Sequence, residues 1–466
     1  MNRYEDLREF IEQVDALGAL RRVEGADPLY EVGGITEVAA GTPECPALLF
    51  DQLKGFPRGF RVFTNATVSA QRAALALGID PHLPPMEALR QWRNRRGALT
   101  MHKPVAVKEA PVLRNSQKAV ELEKFPAPVW HRGDGGPYIG SGSIVVMRDP
   151  DTGWVNASIY RVQVHGKDRV SVQFDHLGRH GAIIARRYWE SGKPCPVAVV
   201  NGPDPSLFIA GFEYLPEGSS EYDFAGAIRG RPVQVIEAPL TGLPVPARAE
   251  MVFEGFLRKG ETLPEGPFGE FTGYYAAEKR PAPAMQVEAV HWRDDPILLG
   301  SPPMKPPRFH FGLPFRAASM WSQLEAAGVT DVVGAWQHVA QLMTVIAIRQ
   351  RYAGHSKRAG LIAAAQSYMG RIVVTVDDDV DPSSLADVMW AIATRCEPSE
   401  QLDIVRSAWS SALDPRITPQ ARERGETSHS KMILDACKPF GWKDDYPRTS
   451  ALTAEEARLI REKWFR

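Results

Sequence analysis

The chain has 466 residues, 44% hydrophobic and 24% charged, with a formal net charge of −1. That balance gives no electrostatic case for nucleic acid or an anionic membrane surface, and no apolar run reaches the length of a membrane span. The four cysteines (Cys45, Cys195, Cys396, Cys437) are scattered without a CxxC pair, which argues against a disulfide framework or zinc ribbon and for a reducing cytoplasm.

Residues 4–17 place Leu7, Phe10, Ile11, Val14 and Leu17 at helical spacing, and Gly18 supplies a stop. The charged start at Met1-Asn2-Arg3 leads into this helix and does not read as a signal peptide. Strand-like pieces follow at 47–50 and 60–63, then a helix over 69–77, so residues 1–102 read as a small α/β domain. The segment 81–96 is proline-rich and then basic, as a connector would be.

Residues 103–308 change to short strands separated by Gly/Pro/Asp turns. The pattern predicts a strand over 143–147, a turn over 148–153 and a returning strand over 154–164. Further strands are expected at 169–174, 197–200, 233–236, 285–291 and 297–299, with helices at 181–191 and 221–228. This spacing predicts a barrel-like β domain. Residues 309–440 read as an α/β layer, with helices over 316–327, 335–352 and 384–394 and a strand over 371–376. A helical tail over 441–466 opens with the capping box Thr453-Ala454-Glu455-Glu456 and carries Leu459, Ile460 and Trp464. Such a helix docks either on a neighbouring subunit or on its own chain.

The chain is organised around Pro264-Glu265-Gly266-Pro267-Phe268-Gly269-Glu270-Phe271. Proline lacks a ladder donor and glycine permits unusual backbone angles, so the chain must turn here with a carboxylate at each end. Two readings compete: a surface turn with solvated glutamates, or a carboxylic acid beside aromatic residues, where desolvation favours the protonated form.

On the returning strand, alternation puts Trp154, Asn156, Ser158 and Tyr160 on one face and Arg161 on the other. Asn156 and Arg161 share a site only if the strand bulges or the ligand straddles its end. His165, His176 and His180 cluster in sequence without metal-ligand spacing. Gly133-Asp134-Gly135-Gly136-Pro137-Tyr138-Ile139-Gly140 matches no nucleotide-binding fingerprint, although its amides suit an anion. The acidic run Asp377-Asp378-Asp379-Val380-Asp381 fits a helix-capping turn or a divalent ion.

Taken together, these segments resemble the UbiD family of prenylated-FMN-dependent decarboxylases. The resemblance runs over nearly the whole chain. It rests on Glu265-Gly266-Pro267-Phe268-Gly269-Glu270, Asn156-Ala157-Ser158-Ile159-Tyr160-Arg161, Pro216-Glu217-Gly218-Ser219-Ser220-Glu221-Tyr222-Asp223 and Met251-Val252-Phe253-Glu254-Gly255.

The resemblance implies an N-terminal α/β domain, a central split β-barrel carrying the flavin and a C-terminal α/β domain that dimerises. It implies that Asn156, His180 and Glu221 hold manganese on the cofactor phosphate, and that Trp154, Ala210, Glu213 and Glu221 form a potassium site. Ser158, Ile159, Arg161, Arg179 and His180 would contact the cofactor. Arg161, Glu265 and Glu270 match the family's acid–base set, with Arg161 holding one carboxylate ionised and Glu270 passing the proton. Phe271 and His310 would line the substrate pocket, unless His310 instead caps the helix that follows.

The implied reaction is reversible decarboxylation of an aromatic, heteroaromatic or α,β-unsaturated acid. A flavin prenyltransferase would supply the cofactor, and the assembly would be a homodimer or homohexamer. The alternatives are a non-catalytic subunit of a multi-protein carboxylase and an FMN-dependent oxidoreductase on a split barrel.

Overall fold

The computed structural model describes residues 4–174, 178–367 and 369–465. His176 lies outside the described residues. No helix among them is long and apolar enough to cross a membrane, and all four cysteines are free.

The first helix, Leu7–Ala16, starts where Asp6 accepts from the amides of Arg8 and Glu9, and it buries Leu7, Phe10, Ile11 and Val14. A four-stranded sheet orders Leu20–Glu24, Ala47–Asp51, Arg61–Thr64 and Ile297–Gly300. Its last strand comes from far along the chain and pairs in parallel with Arg61–Thr64. The expected connector at 81–96 is instead mostly the helix Pro85–Gly97, which buries Ala88, Leu89 and Trp92. Proline at the start of a helix costs no hydrogen bond, and Arg95 and Arg96 suit the negative end of its dipole.

The central sheet has the order Tyr138–Gly140, Arg161–Val164, Arg169–Gln173, Arg280–Trp292, Met251–Glu265, Cys195–Asn201, Ile144–Arg148, Val155–Ser158, with Asn115–Gln117 added beside Arg280–Trp292. The strand expected over 154–164 is therefore two strands. Val155–Ser158 forms one edge of the sheet, while Arg161–Val164 is next to the opposite edge. Only Ile159 and Tyr160 link them, so the sheet must curl until its edges nearly meet. That is a split barrel, and the split lies where the motif residues are.

A five-stranded sheet orders Val332–His338, Met343–Ile348, Ile372–Asp377, Ser428–Ala436 and Leu402–Trp409. Its first two strands replace the helix expected over 335–352. Met343–Ile348 is buried along its whole length, and a strand covered on both faces shows no alternation to separate it from a buried helix. The helix expected over 384–394 is Leu385–Arg395, and Ser384 caps it.

The acidic run serves neither as that cap nor as an ion cluster. Asp377 and Asp379 pair with Arg395, and Asp379 also pairs with Lys438. The capping box of Ala454–Trp464 forms, but Leu459, Ile460 and Trp464 stay exposed, so this helix does not dock on its own chain.

Candidate active site

Glu265 ends the long strand Met251–Glu265 and faces Arg280 across the hairpin. Gly266 then adopts φ +88°, which its missing Cβ permits. Its amide donates to Gln163 Oε1 at 2.9 Å, and Gly135 N donates to the Pro267 carbonyl at 2.7 Å. A second turn closes where Gly273 N reaches the Glu270 carbonyl at 2.8 Å. The chain thus presents two carboxylates to one point.

Arg161, opening the strand on that lip of the barrel, sits at this point. Its Nε and Nη2 grip Glu265 at 2.7 and 3.1 Å, and its Nη1 donates to Glu270 Oε1 at 2.6 Å. Arg161 was expected to hold one carboxylate; it holds both, because the planar fork has donors on two edges. Glu265 is fully buried and takes a further bond from the Tyr138 hydroxyl at 3.0 Å. Burial pushes the Tyr138 phenol well up, with Glu265 adding to it, so it stays a donor. The Arg161 guanidinium lies 5.5 Å from the Phe268 ring centre.

The other lip carries Asn156 and Ser158. Glu221, at the first position of the helix Glu221–Arg229, is capped by Ser220. Its carboxylate accepts from Asn156 Nδ2 at 2.7 Å, Ala157 N at 2.8 Å and Ser158 Oγ at 2.5 Å. Burial pushes the Glu221 carboxyl up, against those bonds, and no basic side chain among the described residues pairs with it within 4 Å. Tyr160 OH donates to Asn156 Oδ1 at 3.2 Å and accepts from Gly181 N at 2.9 Å. It thereby ties this lip to the helix His180–Glu190. His180 meets Trp154 edge-on at 4.8 Å, and burial lowers its pKa, leaving a neutral imidazole.

Between the lips lies a cavity of about 350 Å³. Ser158, Ile159, Arg179, His180 and Glu221 line one part of it. Arg161, Glu270, Phe271, Phe309 and His310 line another. Glu213 also faces it, and its buried Oε1 has no hydrogen-bond donor, the Arg96 Nε standing 3.8 Å away. Asn156, Glu265, Trp154 and Ala210 are not in its wall. Asn156 and Glu265 stand behind the residues that are, Trp154 packs on His180, and the Ala210 carbonyl accepts from Glu213 N at 3.0 Å.

His310 does not cap the following helix Phe315–Ala326, whose start has no side-chain cap. Its Nδ1 shares a proton with Ser301 Oγ at 2.8 Å, its ring packs near Phe212 and Phe309, and burial pushes its pKa down to about 4. Among the described residues no three His, Cys, Asp or Glu side chains gather as a metal site; the expected manganese set has two, with Asn156 the third member.

Other motif residues are structural. Glu254 accepts from Thr241, Leu240 and His291 around a bulge in its strand. His165 bonds Ser171 across its hairpin. Tyr138 and Gln163, which hold Glu265 and Gly266, are site residues that no motif in the sequence marks. Gln163 lies two residues past Arg161 on one strand, so alternation alone puts them on the same face.

Comparison with known proteins follows the same outline. Three family models match in succession: the N-terminal domain of 3-octaprenyl-4-hydroxybenzoate carboxy-lyase over residues 11–95, its Rift-related domain over 103–306 and its C-terminal domain over 310–436. The phenolic acid decarboxylase of Streptomyces sp. (strain D7) is 33% identical, covering 98% of this chain and 99% of that protein. An evolved dimeric form of the UbiD-class enzyme HmfF from Pelotomaculum thermopropionicum, in complex with prFMN, superposes with a TM-score of 0.82 at 27% identity, covering 96% of this chain and 97% of that one. The apo 3,4-dihydroxybenzoic acid decarboxylase of Klebsiella pneumoniae superposes with a TM-score of 0.86 at 26% identity, covering 99% and 100%. The chain belongs to the UbiD family of carboxy-lyases.

Proposed function

We propose that this chain decarboxylates a hydroxylated aromatic acid, reversibly under high CO₂, using prenylated FMN and with Glu270 as proton donor. The observation that carries the reading is the single guanidinium of Arg161 bound to both Glu265 and Glu270 at the wall of one cavity. The phenolic acid and dihydroxybenzoic acid decarboxylases among the relatives support the substrate class, and the prFMN complex supports the cofactor.

The residues present fit the cofactor. Glu221 is a buried carboxylate whose charge Arg179 favours from a distance, with no ion pair within 4 Å among the described residues, which suits a cation. His180 is a neutral imidazole lining the same cavity, and the start of the helix His180–Glu190 suits a phosphate. Asn156, His180 and Glu221 would hold manganese there, with Ser158, Ile159, Arg161 and Arg179 against the cofactor. Glu213, with its donorless buried oxygen, would join Glu221 and the Trp154 and Ala210 carbonyls around potassium. Exposed Leu385, Met389 and Trp390, and the exposed apolar residues of the last helix, suit a homodimer or homohexamer.

When bound, prenylated FMN stabilises the charge left as CO₂ departs. The chain supplies the rest. Phe271 and Phe309 pack the ring, and neutral His310 offers a hydrogen bond to a ring substituent. Arg161 and Tyr138 hold Glu265 in place behind the wall. Glu270, the carboxyl that faces the cavity, delivers the proton: the bond from ring carbon to carboxylate breaks, a carbon–hydrogen bond forms and CO₂ leaves.

Enzyme co-expressed with a flavin prenyltransferase should release CO₂ from hydroxybenzoates in a panel of aromatic acids. Equal turnover by protein loaded with plain FMN would overturn the cofactor, and no release from any acid would overturn the reaction.

A further inference from the structure

A second cavity, of about 440 Å³, adjoins the first and shares Phe212, Phe309, Arg316 and Gln341 with it as a common wall. Its surface is aromatic: Phe311 meets Phe212 at 4.9 Å and Phe315 at 4.8 Å, and Trp336 closes the side from the five-stranded sheet. Two arginines, Arg308 and Arg316, also line it, and no Asp or Glu does among the described residues. Arg308 is paired with Glu37 at 3.8 Å, whereas no Asp or Glu among the described residues pairs with Arg316, which leaves one guanidinium in an apolar setting and favours an anion with a ring.

The common wall is built to hold Arg316 there. Its guanidinium lies 4.4 Å from the Tyr214 ring centre and its Nη1 donates to Gln341 Oε1 at 3.3 Å. Its Nε is buried without a hydrogen-bond partner. Gln341 ends a turn in which Val339, Ala340 and Gln341 have φ +51°, +52° and +68°. Three successive non-glycine residues in the left-handed region, one of them β-branched, are held against their preference, and such strain gathers at functional sites.

We propose that this second cavity is an antechamber: a subsite for an aromatic carboxylate, with Arg316 at the wall pairing the carboxylate before it passes to the reaction cavity. The inference rests on the aromatic-acid reading above for its choice of ligand. It assigns a role to Arg316 and the Val339–Ala340–Gln341 turn that proton delivery does not need.

The test uses the full chain and 4-bromobenzoate. Anomalous scattering from soaked crystals should place bromine among Phe309, Phe315 and Trp336 with the carboxylate toward Arg316, and Arg316→Gln should lose that peak. In solution, benzoate should slow iodoacetamide labelling of Cys45, which lines the antechamber, several-fold, and leave Cys396, which does not, unchanged. Bromine in the reaction cavity alone, or Cys45 labelling indifferent to benzoate, would overturn the antechamber. Neither readout needs turnover, so a bound bromobenzoate in a protein that decarboxylates nothing would sink the proposed reaction and keep the subsite.

Discussion

Arg161 Nη1 lies 2.6 Å from Glu270 Oε1 while the other edge of the same guanidinium is held by Glu265. The two carboxylates are unequal. Glu265 is fully buried and closed off behind Arg161, whereas Glu270 is in the cavity wall. Losing Glu270 therefore leaves the arginine anchored.

Glu270→Gln keeps an acceptor for Arg161 and cannot deliver a proton. Turnover should fall by about 10²–10⁴, with the thermal midpoint and cofactor content of the wild type. Near-normal turnover by a folded, loaded variant would remove Glu270 as the donor.

Glu221 gathers Asn156, Ala157 and Ser158 through three hydrogen bonds, so its removal should act on the cofactor lip rather than on the proton. Glu221→Ala should lower manganese and flavin content together, measured by elemental analysis and absorbance. Retention of both at wild-type stoichiometry would refute the metal assignment.

How legible these two lips were in the sequence differs. Asn156, Ser158 and Tyr160 were readable as one polar face, because polar and apolar residues alternate there although Asn156, Ala157 and Ser158 are all buried. The break at Ile159–Tyr160 was not readable, since a two-residue link between opposite sheet edges is a fact of closure, not of local pattern. A different limit hid the hairpin of Val332–His338 and Met343–Ile348: burial of the second strand on both faces erases its periodicity. Tyr138 lies in a glycine-rich run whose local pattern speaks only for its amides, while it is the Tyr138 hydroxyl that reaches Glu265.

His310 gives a pH signature. Burial takes it to about 4, against about 6.5 for an exposed imidazole. Between those values the unfolded chain binds the extra proton, so stability is complete above about 6.5 and is lost as pH falls toward 4. The thermal midpoint of the wild type should drop more steeply over that window than that of His310→Ala. The same variant should reorder the acids of the substrate panel and keep its flavin. Parallel pH profiles and an unchanged ranking would place His310 outside both roles.

Gly135 tests whether the glycine-rich run serves the carboxylate turn. Its amide donates to the Pro267 carbonyl at 2.7 Å, and a Cβ there would collide with the backbone of Gly266. Backbone meets backbone, so no side chain can swing aside, and the turn between Glu265 and Glu270 must shift. A displacement of about 1 Å at a reacting group costs on the order of 10²-fold in rate. Gly135→Ala should therefore lose turnover on that scale. Flavin content should hold, because Asn156, Ser158, Glu221 and the helix from His180 lie on the other lip. Gly133→Ala is the control two residues away. Its Cβ would meet the exposed Tyr275 ring, a side chain that can rotate, so its loss should be far smaller. Equal damage from the two substitutions, or full activity in Gly135→Ala, would show that the run does not position the turn.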